Sequence, residues 1–150
     1  NETNLAGGAT DVAPIYTDFT ADGSTLNICS NSQFDSARYG NKLTENQFLR
    51  IAVPTTDAYN VTITTTTATP ATPDPDDRDQ SDPDIYIYRG DEFIIAGTSP
   101  EENSETFTTP TLSAGQTYIA AIEDWRFDDD EAPTSYPERV CMDVRFAPTP

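Results

Sequence analysis

Apolar residues along this chain recur at every second position in short runs, and nowhere with the period of a helix. In "AYNVTITTTT", Tyr59, Val61 and Ile63 fall on one side and threonines on the other; "STLNICS" sets Leu26 and Ile28 against Asn27 and Cys29. Successive side chains of an extended strand point to opposite faces, so this alternation marks strands buried on one face. "QFLRIAV", closed by Pro54, "SETFTT", "QTYIAAIEDW" and "RVCMDVRF" read the same way. "DIYIYRGDEFIIAG" reads as a hairpin that turns at Arg89, Gly90 and Asp91. "DSARYGNKLTENQF" holds at most one turn of helix. About eight or nine short strands with regularly spaced turn signals predict an all-β fold, an antiparallel β-sandwich.

Between the strands, "ATPATPDPDDRDQSDP" has no apolar residue larger than alanine and reads as a loop, while "LSAGQ" and "RFDDDEAPTSYPE" read as turns. A chain of 150 residues suits one domain. Residues 1–13 read as linker from a larger precursor, 14–147 as the sandwich module and 148–150 as a tail. The start, "NETNLAGG", reads as a cut within a longer exported protein.

Charge narrows the partners. Twenty-six acids against eight bases give a formal net charge of −18, which repels phosphate backbones and anionic lipid, so nucleic acid is excluded as an expected partner. No run approaches the roughly 20 apolar residues of a membrane span, so membrane insertion is not expected. The acidity suits a bound cation and equally suits a surface solvated in salt.

Two cysteines far apart, with no CxxC pair and no histidine, exclude the usual zinc ligand sets. Cys29 and Cys141 read best as one disulfide and hence an oxidising compartment, with two buried free thiols as the other reading. The expected location is secreted or extracellular, with the periplasm and the cell surface as variants. Without histidine, Ser-His and Cys-His nucleophiles are impossible. A paired-carboxylate glycosidase would need a cleft for which the short strands give no sign. The expectation is that the chain is not an enzyme.

The order "QFLRIAVPTTDAYNVTITTT", "DPDIYIYRGDEFIIAG", "SETFTTPTLSAGQTYIAAIED", "RVCMDVRF" resembles the bacterial pre-peptidase C-terminal domain over roughly residues 24 to 147. Its "SAGQTY" departs from the family's "AGTY"-like turn by Gln116. The resemblance implies a jelly-roll-like β-sandwich that is secreted, attached to proteases and other hydrolases, and itself non-catalytic. Some relatives, among them the collagen-binding domains of bacterial collagenases, bind calcium through acids near a sheet edge and ligand through surface tyrosines. The function it implies is an accessory module of a secreted bacterial hydrolase or protease that assists substrate or surface attachment, export or stability. Its partners would be the parent enzyme domain and an extracellular protein or polysaccharide. A free-standing calcium-dependent carbohydrate-binding or adhesion module is the alternative, and a purely structural spacer a third.

Candidate chemistry gathers in "SDPDIYIYRG". Positions i and i+2 of an extended segment point the same way, so Asp82 and Asp84 can present carboxylates to one point. Calcium takes six to eight hard oxygens, which Asp79 (with Asp76 and Asp77) from the loop and Asp124 (with Glu123) from a neighbouring strand end would help supply. The same acids also suit the solvated end of a strand, and both readings stand. With Ile85 and Ile87 facing inward, Tyr86 and Tyr88 stand together on the outer face, either as a grip for a peptide or a sugar ring or as a surface that a second layer, a loop or the parent enzyme covers. Trp125 reads as the rim of that face or as a core plug.

Overall fold

In a computed structural model, the structure describes residues 16–29, 47–66, 81–100, 103–124 and 141–150. Nine strands lie in these segments: β1 (Tyr16–Thr20), β2 (Thr25–Cys29), β3 (Gln47–Ala52), β4 (Tyr59–Thr65), β5 (Pro83–Arg89), β6 (Glu92–Gly97), β7 (Ser104–Thr108), β8 (Thr117–Asp124) and β9 (Cys141–Pro148). They form a five-stranded sheet, β1-β3-β8-β5-β6, and a four-stranded sheet, β2-β9-β4-β7. The two inner faces meet to make a β-sandwich.

The period-two alternation decides which residues reach the core. Tyr59, Val61 and Ile63 of β4, and Ile85 and Ile87 of β5, are all fully buried. Leu49 and Ile51 of β3, Ala120 and Ile122 of β8, and Val144 and Phe146 of β9 join them from both sheets. Phe19 and Phe146 close the space between the sheets edge to face, 5.9 Å apart. Buried hydroxyls find partners: Tyr59 Oη donates to the Thr55 carbonyl at 2.6 Å, and Tyr118 Oη accepts from the Ser113 N–H at 2.9 Å.

One strand escaped the alternation. β1 carries a single fully inward apolar residue, Phe19, and pairs with β3 in parallel, Tyr16 opposite Phe48 and Phe19 opposite Ile51. The sandwich is therefore antiparallel except for that pair. The other expected strands form. Arg89 pairs with Glu92, which leaves Gly90 and Asp91 to turn the β5–β6 hairpin, and Gly90 supplies the positive φ of 62° that the turn needs.

At the C-terminus, residues 148–150 are not a free tail. Tyr59 pairs with Pro148, the Thr149 N–H donates to the Ala58 carbonyl at 3.0 Å, and Thr149 Oγ1 bonds Asp57 Oδ1 at 3.0 Å. Proline at position 148 is compatible with this because it falls at the end of the ladder, where no further donor is required.

Where β6 hands over to β7, packing is close. A Cβ on Gly97 would lie 2.5 Å from the Phe107 ring and 2.8 Å from Glu105 Cγ, so only glycine fits. Glu105 is 2% exposed on the inner side of β7 and accepts the Ser99 N–H through Oε2 at 2.5 Å. A buried carboxylate is tolerated where backbone donors reach it.

Cys29 and Cys141 lie directly opposite each other on β2 and β9 and are joined by a disulfide across a sequence separation of 112.

Candidate functional site

The outer face of the five-stranded sheet is assembled by register. Across the strands, Tyr16 pairs with Phe48, Phe48 with Ala121, Ala121 with Tyr86, and Tyr86 with Ala96. Two residues along, a second row runs Asp18, Arg50, Ile119, Tyr88, Phe93. Residues in register on one face of a sheet touch, so the first row makes an apolar band about 19 Å long across five strands spaced by about 4.8 Å, widened by Ile119, Tyr88 and Phe93 of the second row, whose other end is the Asp18–Arg50 ion pair. Tyr16 packs on Phe48 and Tyr88 on Phe93, each edge to face, at 6.0 and 5.6 Å. Phe93 is 55% exposed and Tyr16 39%, while Phe48, Tyr86, Tyr88, Ile119 and Ala121 are half-buried.

A third row adjoins the band. Asp84 and Glu123 stand directly opposite each other on β5 and β8, two residues from Tyr86 and Ala121. Asp84 is 7% exposed, and Tyr86 Oη donates to its Oδ2 at 3.3 Å. Burial, then the charges of Asp82 and Glu123, push the Asp84 carboxyl up to about 7, against the pull of the Tyr86 hydrogen bond; Glu105 adds to the rise. Tyr86 is pushed up to about 12 by burial and by Asp84 and Glu123, so it stays a neutral donor at any physiological pH. The segment leading into this row is fixed from beneath. Ser81 is fully buried, accepts the Thr65 hydroxyl at 2.6 Å, and takes the Asn103 N–H on its carbonyl.

Asp82 and Asp84 thus share one electrostatic neighbourhood with Glu123. Among the described residues, however, no three acidic side chains converge as a group that would hold a metal ion. Asp124 is placed only by its backbone, opposite Pro83, and Asp76, Asp77, Asp79 and Trp125 lie outside the described residues.

Tyr86 and Tyr88 fall on the outer face, as the inward isoleucines require. Sequence reasoning did not find the rest of the band. Phe93 was accessible to it, because a two-residue turn in "YRGDEF" sets Phe93 beside Tyr88. Tyr16, Phe48, Ile119 and Ala121 reach these tyrosines only through strand order, which no local signal carries. Arg50 grips Asp18 in two-point fashion, Nε to Oδ1 at 2.5 Å and Nη2 to Oδ2 at 3.0 Å, which neutralises the base in these rows.

The sequence matches no family model and no curated protein. Among solved structures, the fold is similar to the crystal structure of the pre-peptidase C-terminal domain of a collagenase from Bacillus anthracis. The TM-score is 0.51, the identity 6%, and the likeness covers 91% of this chain and 99% of that one. The similarity is one of fold: a β-sandwich of the same extent as that domain.

Proposed function

We propose that this chain is a non-catalytic accessory module of an exported protein, and that it attaches its parent to a substrate or surface through the outer face of the five-stranded sheet. The observation that carries this reading is the registered aromatic band itself. A sheet needs an apolar inner face to fold, but nothing in folding requires Tyr16, Phe48, Tyr86, Tyr88 and Phe93 to line up on the outer one. The fold it shares with the pre-peptidase C-terminal domain of a collagenase supports the accessory role. The absence of histidine from the whole sequence removes the commonest catalytic bases. A disulfide between β2 and β9 supports export to an oxidising compartment.

The test compares the parent protein with and without this module on insoluble and on soluble forms of one substrate. Attachment predicts lower activity on the insoluble form alone. An equal fall on both forms would instead give the module a part in the parent's own stability or chemistry.

A further inference from the structure

We infer that the partner of the outer face is an extended cationic peptide segment, laid across the strands with its basic side chains over the aromatic band and against Asp84 and Glu123. This rests on the attachment proposed above and names the chemistry of what is attached.

Three features select that occupant. The band is about 19 Å long and runs across the strands, a length that about six extended residues cover at about 3.3 Å each. Aromatic faces attract cations, Arg above all, and Tyr88 and Phe93 form an edge-to-face pair whose outer member is more than half exposed.

Charge then decides between classes of ligand. Arg50, the base within the rows, is taken up by Asp18. Every charged neighbour that moves the Asp84 carboxyl is another acid. Above about pH 7, where Asp84 ionises opposite Glu123, this row therefore presents negative potential along one side of the apolar band. A basic segment relieves that potential, an anionic polymer adds to it, and a neutral sugar leaves it as it is. A second copy of this chain is disfavoured by its own net charge of −18.

The experiment is fluorescence anisotropy with a labelled octapeptide of alternating Arg and Pro. The controls are an octapeptide of alternating Ser and Pro, and retention on a neutral polysaccharide. Phe93→Ser changes an exposed side chain, and Asp84→Asn is close to isosteric, so both variants should keep a cooperative melt.

At pH 8, where Asp84 is ionised, the Arg-Pro peptide should bind the unmodified protein and weaken as salt rises from 50 to 300 mM. Phe93→Ser should reduce its affinity about fivefold and Asp84→Asn about threefold. Equal affinity for the protein and Phe93→Ser would reduce the binding to general attraction by an acidic surface, and the inference would fall. Retention on the polysaccharide, lost in Phe93→Ser with no preference for the Arg-Pro peptide, would overturn the cationic partner while leaving attachment through this face standing. If no probe binds and Phe93→Ser leaves the parent's activity on insoluble substrate unchanged, both readings fail together.

Discussion

Asp84 is the residue whose chemistry is most altered by its place in the fold. Its carboxyl rises from an ordinary value of 3.8 to about 7 because it is buried and faces Asp82 and Glu123. The unfolded chain releases this proton near pH 4, whereas the folded chain keeps it until about pH 7. Over that window the folded state binds more protons, so stability is greatest below pH 4 as far as this group is concerned, falls as pH rises, and levels off above 7. Asp84→Asn cannot ionise and should flatten that slope, giving a higher Tm than the unmodified protein at pH 8 and little difference at pH 4. Thermal melts at four pH values check it. A calcium-specific rise in Tm at pH 8 that vanishes in Asp84→Asn would instead make this row a metal site. The neighbouring Tyr86 contributes a hydroxyl that stays protonated throughout, so the loss of the hydrogen bond at high pH is not the cause of the slope.

Among the elements, β1 shows which forces hold a strand with a weak sequence signal. It docks at a sheet edge through a parallel ladder to β3, the buried ring of Phe19 against Phe146, and the exposed Arg50–Asp18 pair. Exposed ion pairs contribute about 0–1 kcal/mol even with good geometry, whereas removing a buried phenylalanine ring costs about 3–5 kcal/mol. Phe19→Ala should therefore lower the unfolding free energy by several kcal/mol, and Asp18→Asn only slightly, in equilibrium denaturation. A larger loss for Asp18→Asn would mean that the pair, not the ring, seats the strand.

The contrast also explains what was legible in the chain. β4, β5 and β9 bury three or more residues on one face, so their alternation announces them. β1 has Tyr16 and Asp18 outward with only Phe19 fully inward, and that is too short a pattern to stand out. The same limit applies to the site. Tyr86 and Tyr88 were visible as the outer half of an alternating strand, but their neighbours Phe48, Ile119 and Ala121 come from strands whose adjacency is a property of topology. Asp84 was read as a solvated or metal-binding acid; its burial follows from the rows that surround it. The C-terminal end of β9 was missed because Pro148 and Thr149 look like tail residues, while the groups that hold them belong to Ala58 and Asp57, some ninety residues earlier.

For the molecule as a whole, the disulfide sets the reference against which folding is measured. It joins residues 112 apart, and so closes most of the described chain into one loop in the unfolded state. By loop-closure entropy such a crosslink disfavours the unfolded ensemble by about 5 kcal/mol. In the folded state the same two strands are already paired along five positions from Thr25–Arg145 to Cys29–Cys141, so the crosslink adds little native contact. Its effect should therefore appear chiefly in the unfolded state. Replacing both cysteines by serine should lower the extrapolated unfolding free energy by about 4–5 kcal/mol and also steepen the denaturant dependence, because an uncrosslinked unfolded chain exposes more surface. Guanidinium titrations of the two proteins measure both quantities at once. A fall in stability with no change of slope would place the stabilisation in native contacts at the β2–β9 end.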